Sequence, residues 1–452
     1  MHLEKIHSIY FIGIGGIGMS ALARYFHSKG RKIYGYDRAA TSLTDELMKE
    51  GMQIHFEEDA ASIPKEVDLV VYTPAIPEEH EELKFYREHH YHIVKRSDLL
   101  EAVTKDSFTI AVGGTHGKTT TTSMIAHLLK DSGYDCTAFL GGIAANYDSN
   151  FLLGKNNTIV VEADEYDRSF LKLHPNLAVI TSCDPDHLDI FGNEEEVVKA
   201  YGDYANQIKD NGMLITKKDL PFLAYYSHLN TQFYSVSDDT DFRAANMHLE
   251  NGTYTFDLTT PEYSISDIHL AVAGFHNVEN AVAAGAIGFQ LGIEKEKIHS
   301  ALSTFKGVKR RFEFIVRNGK TVFIDDYAHH PNEINAFLKS VREIFLQKKI
   351  TIIFQPHLYT RTRDFAEAFG KSLSLADEVI LLPIYPAREL PIEGVNSEML
   401  LERISIQNKR VVGKKDLINE LKKSKLEVVV TVGAGDIDQM VEPIAKMINE
   451  TM

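Results

Sequence analysis

Two cysteines, Cys136 and Cys183, are too few for a disulfide framework and read as reduced thiols. Positive charge is also scarce: 48 Lys and Arg against 64 Asp and Glu leave a formal net charge of -16. That balance argues against sequence-independent nucleic-acid binding, which needs Lys and Arg to neutralise phosphates. A small anionic ligand is still compatible with it, because a local pocket can be positive on an acidic protein. No run of roughly 18 uninterrupted apolar residues occurs, so no membrane-spanning helix is expected. The start, MHLEKIHSIYFIGIGG, lacks the basic beginning and long apolar run of a signal peptide. There is no internal repeat and no low-complexity tract. These absences predict a soluble, cytoplasmic protein without nucleic-acid or membrane partners.

What is present is an ordinary globular composition, 44% hydrophobic and 25% charged, spread over 452 residues. That length exceeds what one core usually organises, so two or three domains are expected. Three regions each restart an alternation of short β-rich runs and amphipathic helical segments. SIYFIGIG, RKIYGYD and VDLVVYT read as buried parallel strands of the first region. Between the first two, Met19, Leu22, Tyr25 and Phe26 share one helical face, with Gly30 as the stop. A polar stretch at Lys105 and Asp106 marks the first boundary. The second region opens with Phe108 to Val112, a glycine-rich turn, and a helix whose buried stripe is Met124, Ile125, Leu128 and Leu129. TIVVEAD and LAVITSC follow as strands, residues 231–270 read as a small antiparallel insertion, and a small-residue helix runs from Asn277 to about Gln290. The third region carries TVFIDD, KITIIFQP, DEVILLPIY and LEVVVTVG. The expected fold is α/β: three domains, 1–104, 105–310 and 311–452, with Rossmann-like ends around a P-loop ATPase-like, mostly parallel centre.

Gly13-Ile14-Gly15-Gly16-Ile17-Gly18 fits GxGxxG, follows a strand and opens a helix, and Asp37 ends the next strand where a ribose-binding acid belongs. The glycines let backbone approach a diphosphate, and the helix start offers unpaired N–H groups to it. Taken alone this loop reads most simply as an NAD-dependent oxidoreductase site, or else as a tight turn that binds nothing. A second loop, Gly113-Gly114-Thr115-His116-Gly117-Lys118-Thr119-Thr120, follows the strand FTIAV and leads into another helix. Its Gly-Lys-Thr ending is that of a P-loop, with backbone amides for phosphate, Lys118 as a point charge and Thr119 as a Mg²⁺ ligand. Val112 stands where the strict pattern has glycine. Two phosphate-binding loops leave a simple dehydrogenase and a simple NTPase each with one loop unexplained.

The variant GTHGKTT resembles the ATP loop of the Mur ligase family, and the likeness extends over essentially the whole chain. It is closest to the branch that adds L-alanine to UDP-N-acetylmuramate. The resemblance implies a UDP-sugar on the first loop (Gly13, Gly15, Gly16, Gly18 and Asp37), ATP on the second, and the amino acid mainly in the third domain. It implies that Gly114, Thr115, His116, Gly117, Lys118, Thr119 and Thr120 hold ATP, and that Thr119, Glu162 and His187 hold Mg²⁺. Asp186 and Asp189 read equally as turn caps. The family's carbamylated lysine has no clear counterpart, Lys199 reading as a solvated helix face. His276-Asn277-Val278-Glu279-Asn280 resembles the adenine-contacting segment, so Asn277 and Asn280 join the ATP set, as do Arg311 of Arg310-Arg311-Phe312-Glu313 and Asp326.

The run Phe354 to Asp364, FQPHLYTRTRD, is typical of the L-alanine branch and implies an amino-acid pocket from Tyr327, His329, His357, Arg361 and Arg363. Leu358 departs from it, since the branch commonly has arginine there. The pair His329-His330 and the run Glu88-His89-His90-Tyr91-His92 do not form a closed zinc set. Tyr385 to Glu389 and Gly433-Ala434-Gly435-Asp436 also resemble the branch. The implied chemistry is an acyl phosphate made from the sugar carboxylate and attacked by L-alanine, with Lys118, Glu162, His187 and Arg361 as catalytic residues, acting as a monomer or homodimer. A ligase adding a tripeptide to the same sugar, a nicotinamide oxidoreductase and a nucleotide-binding regulator are the alternatives.

Overall fold

The computed structural model describes residues 1–185, 188–225, 229–250, 252–387 and 389–450. Three sheets carry the chain. The first is parallel throughout, in the order Gln53–His55, Lys32–Tyr36, Ser8–Ile12, Leu69–Tyr72, Ile93–Lys95. Ile9, Phe11 and Leu69 are solvent-free on it, which is how a parallel sheet covered on both faces reads in sequence. The helix Ile17–Ser28 follows, burying Met19, Leu22 and Phe26; Tyr25 stays half-buried, and Gly30 at φ +76 ends the turn as expected.

The second sheet has ten strands, Ser264–His269, Thr253–Thr259, Phe242–Glu250, Thr231–Ser235, Met213–Thr216, Leu177–Ile180, Phe108–Gly113, Thr158–Glu162, Thr137–Ala144 and Ser149–Leu152, in that order. Residues 231–270 are therefore not a separate antiparallel insertion. Leu214 pairs parallel with Thr231 and Tyr234 parallel with Phe242, so this segment extends the central sheet, and an antiparallel hairpin, Thr253–Thr259 with Ser264–His269, forms its edge. The small-residue helix is Phe275–Gln290. Its glycines have a packing reason: a Cβ on Gly285 would lie 2.4 Å from the Leu258 side chain. The helix after the second loop, Lys118–Asp131, buries Met124, Ile125, Leu128 and Leu129 and ends before Gly133 at φ +80.

The third sheet runs Glu313–Arg317, Val322–Asp326, Val428–Val432, Ile350–Phe354, Glu378–Leu381, Lys409–Val411, parallel except for its first pair. Two compact units result. One comprises residues 1–247, 255–270 and 276–306, the other 248–254, 271–275 and 307–452. Inside the first unit the two sheets share one continuous apolar core, from Ile9 and Phe26 to Phe139 and Tyr204. Arg24 adds a buried tie there, donating to Asn150 Oδ1 at 2.5 Å while pairing with Glu46 and Glu50. Both cysteines are free and buried. No described helix is long and apolar enough to cross a membrane.

Candidate active site

The first glycine loop turns sharply because Gly13 sits at φ +86, and the N–H groups of Gly13 and Ile14 both donate to Tyr36 O. Gly15 N–H donates to Asp37 Oδ2 at 2.8 Å, and a Cβ on Gly15 would lie 2.8 Å from that same oxygen. Asp37 thus sits where a ribose-binding acid was expected, but one of its oxygens is engaged by the loop itself. Gly16 caps the helix without a side-chain acceptor, so the cap leaves backbone donors at the helix start. A cleft of about 330 Å³ is lined by Gly16 and Gly18, by Thr73 and Arg96, and by Gly141 and Glu162. Its lining comes from both the first and the second sheet's loops and strands.

The second loop is built more tightly. Gly114 at φ +131 lies against the next strand, where a Cβ would be 2.0 Å from Thr181 Oγ1, so only glycine fits. Gly117 at φ +81 precedes the helix and lies against Asn280. Thr115 donates to Asp184 O at 2.8 Å, His116 N–H to Ser182 Oγ at 2.9 Å, and Thr120 lies half-buried in the first helical turn. Lys118 Nζ donates to Gly114 O at 2.7 Å and to Glu165 Oε1 at 2.9 Å. Burial opposes its charge, but the carboxylates of Glu165, Glu162 and Asp164 outweigh that and hold its pKa above the usual lysine value. Burial pushes Glu165 the other way, upward, against the pull of Lys118.

Thr119 Oγ1 donates to Glu162 Oε2 at 2.9 Å. A hydroxyl and a carboxylate brought together at a P-loop are hard oxygens of the kind Mg²⁺ takes beside nucleotide phosphates, so these two residues fit that ion. Glu162 reaches its place because Gly141 on the neighbouring strand has no side chain: a Cβ there would stand 2.0 Å from Glu162 Oε2. Asp186 and His187 lie outside the described residues, as does the side chain of Asp189. Among the described residues no group of three or more His, Cys, Asp and Glu forms a metal cluster. Lys199 is exposed, and so are His89, His90 and His92. Asn277 and Asn280 are both buried, with Asn280 Nδ2 donating to Asn277 Oδ1 at 3.1 Å and its Oδ1 accepting from Thr121 at 3.0 Å. The pair therefore stands against the helix that the second loop opens.

In the other unit, Asp326 accepts N–H groups from Phe312 at 2.7 Å and Ala328 at 2.8 Å, and burial pushes its pKa up to about 6. The guanidinium groups of Arg310 and Arg311 lie 5.2 and 5.1 Å from the Tyr327 ring centre. His329 packs edge-on to His357 at 6.1 Å, and His357 stacks on Tyr385 at 5.6 Å. Burial holds the His329 pKa down, and the positive charges of Arg361 and Arg311 push the same way. Arg361 is half-buried beside this group. Arg363 is exposed and donates to Asp364 Oδ1 at 2.7 Å. Leu358 has φ +71, donates its N–H to Tyr385 O and accepts from Thr362 Oγ1 at 2.7 Å. Its backbone starts the helix Tyr359–Asp364 whatever its side chain is. Gln355 Nε2 donates to Asp436 at 2.8 Å, locking the Gly433–Asp436 turn.

Sequence reasoning singled out neither Glu165 nor Arg96. Glu165 directly follows the TIVVEAD strand run, but its partner is 47 residues away in sequence. Arg96 follows a three-residue strand with no periodicity to mark it.

Comparison with known proteins covers the whole chain. Models of the Mur ligase family, catalytic domain, the Mur ligase middle domain, and the Mur ligase, glutamate ligase domain match residues 8–107, 112–288 and 310–435. A UDP-N-acetylmuramate–L-alanine ligase of Flavobacterium psychrophilum is 50% identical, with 100% of each chain covered. The enzyme of the same name from Parabacteroides distasonis is 47% identical over 99% of this chain and 98% of its own. Among solved structures, the UDP-N-acetylmuramate–alanine ligase of Thermotoga maritima has a TM-score of 0.84 at 30% identity, covering 98% of this chain and 100% of its own. A murein peptide ligase of Psychrobacter arcticus shares the fold, with a TM-score of 0.76 at 22% identity over 98% of both chains.

Proposed function

The chain belongs to the Mur ligase family, and we propose on that footing that it joins L-alanine to the lactyl carboxylate of UDP-N-acetylmuramate, converting ATP to ADP and phosphate. It is an ATP-dependent, amide-forming ligase of peptidoglycan precursor synthesis with the three-domain α/β Mur fold. The observation that carries the site assignment is one cleft lined both by the first glycine loop and by Glu162, which is hydrogen-bonded to Thr119. A UDP-sugar seated on Gly13, Gly15, Gly16 and Gly18 can extend along that cleft towards a nucleotide on the second loop.

Residues 1–104 seat the UDP-sugar, 105–310 the ATP and 311–452 the amino acid. The amides of Gly114 to Thr120 and the Lys118 ammonium neutralise the phosphates while a carboxylate oxygen of the sugar attacks the γ-phosphorus and ADP leaves. The neutral amine of L-alanine then adds to the acyl phosphate carbon, and phosphate departs carrying that carboxylate oxygen. Positioning and charge stabilisation suffice, so no nucleophilic Ser or Cys is needed. Thr119 and Glu162, together with His187, would hold Mg²⁺, which when bound supplies further neutralisation of the phosphate oxygens. Asn277 and Asn280 offer amides to the adenine, and the family resemblance assigns Arg311 and Asp326 to the nucleotide as well. Tyr327, His329, His357 and Arg361 line the amino-acid seat; Arg363, exposed and tied to Asp364, has the weakest claim to it. A UDP-linked substrate and ATP place the reaction in the cytoplasm. Labelling the UDP-N-acetylmuramate carboxylate with ¹⁸O tests the route. One label should appear in the released phosphate, and unlabelled phosphate formed alongside amide would overturn the acyl-phosphate step.

A further inference from the structure

The P-loop lysine of this chain is already neutralised by the protein. Lys118 Nζ is folded back onto the loop carbonyl of Gly114 at 2.7 Å and meets the Glu165 carboxylate, whose oxygens stand 2.9 and 2.7 Å away. The pair is enclosed: the Lys118 and Glu165 side chains are 13% and 4% exposed. Burial raises the pKa of Tyr201 and the nearby Glu165 charge adds to that, and Phe170 packs on Tyr201 edge-on at 5.4 Å. Glu165 is distinct in position and task from Glu162, which lies three residues earlier and accepts from Thr119.

A buried ammonium can be satisfied by one well-placed anion, and a second anion must share or displace the first. We infer that Glu165 is a positioning residue that competes with the nucleotide phosphates for Lys118, holding the ammonium in the loop, yielding it as ATP binds and reclaiming it as the products leave. This rests on the reading of Lys118 as a phosphate ligand. Two effects of the Glu165 carboxylate oppose phosphate binding: it neutralises Lys118, and it repels a like charge a few ångströms away. Removing its charge while keeping its shape should therefore tighten nucleotide binding. A purely structural residue would weaken binding when altered.

The test measures ADP affinity, with Mg²⁺ present, by calorimetry on the full chain as wild type, Glu165→Gln, Lys118→Ala and the double variant. Glu165→Gln should bind ADP about tenfold more tightly, the effect of one charge-assisted contact. Its KM for ATP should fall and its kcat should fall with it, because the products are held. In the Lys118→Ala background the same change should tighten ADP by a clearly smaller factor, since only the direct repulsion is left once the shared ammonium is gone. Glu165→Gln binding ADP as wild type does, or more weakly, while Lys118→Ala weakens it, overturns the competition alone. Unchanged ADP binding in Lys118→Ala overturns the underlying reading of Lys118. Should Glu165→Gln fail to fold, Glu165→Asp, which draws the carboxylate back, should tighten ADP in the same direction by a smaller factor. Equal or weaker binding there overturns the proposal as well.

Discussion

The two glycine loops have the same strand–turn–helix form and opposite electrostatic designs. The first, Gly13 to Gly18, has no lysine; it offers glycines, a helix start without a side-chain cap, and one carboxylate, Asp37, on Gly15 N–H. The second carries a largely enclosed cation with a buried anion against it, Lys118 and Glu165, beside Thr119 and Glu162. Elsewhere in the first region the acid Glu82 is buried with no lysine or arginine paired to it among the described residues: Tyr10 donates to it at 2.5 Å and His55 lies 3.4 Å away. Where glycine spacing provides a phosphate seat, the charges around it decide which phosphate chemistry follows. A diphosphate that is only held can rest on backbone donors, whereas a phosphoryl group that is transferred needs charge that follows it.

The sharpest break of the comparison is Lys118→Ala. Ligation should fall on the order of a thousandfold or more, while calorimetric binding of UDP-N-acetylmuramate stays near wild type. Full turnover in that variant would remove the distinction between the loops. Next come paired glycine substitutions. Gly114→Ala puts a Cβ at φ +131 and 2.0 Å from Thr181 Oγ1, so nucleotide binding should be lost and thermal stability lowered. Gly15→Ala crowds Asp37 and Thr44 at 2.8 Å, so UDP-sugar binding should weaken while ADP binding is kept. The same ligand lost in both variants would contradict separate seats.

Glu82 tests the uncharged design by pH. Burial pushes its pKa from 4.5 up to about 7. The folded protein therefore holds that proton after the unfolded chain has released it. Below about pH 4.5 both states are protonated and the group costs nothing; as pH rises towards 7 its ionisation increasingly favours unfolding. Glu82→Gln removes this, so its denaturant stability relative to wild type should rise by about 3 kcal/mol between pH 4.5 and 7.5. A flat difference across that range would show the acid to be compensated after all. Smallest is Asp37→Asn, which keeps an acceptor for Gly15 N–H but loses its charge. UDP-sugar affinity should change by about 1 kcal/mol, with ADP binding untouched in the same titration.

Much of this was legible in sequence because it is local. Both loops are contiguous runs between a strand and a helix, and the main strands are apolar stretches. The α/β class, the mostly parallel central sheet and the family follow from these. Short edge strands such as Gln53–His55, Ile93–Lys95 and Lys409–Val411 carry too few residues to show a period. Thr137–Ala144 was missed because its two central glycines break the apolar run, yet one of them, Gly141, is what admits Glu162. Residues 231–270 alternate as an isolated hairpin would, and only pairing with Met213–Thr216 shows them to extend the central sheet. Arg361 and Arg363, two residues apart, look equivalent in sequence; burial beside His329 separates one from the other. The Lys118–Glu165 pair depends on two strands meeting in the sheet, which no local pattern encodes.

The ligase assignment meets its most direct test in phosphate release from ATP with Mg²⁺ and UDP-N-acetylmuramate, while L-alanine, glycine, L-serine and the cell-wall tripeptide are varied. Release should require both the sugar nucleotide and an amine, with kcat/KM highest for L-alanine and UDP-N-acetylmuramoyl-L-alanine formed in equal amount. Release that ignores L-alanine, or that is faster with the tripeptide, would contradict the account.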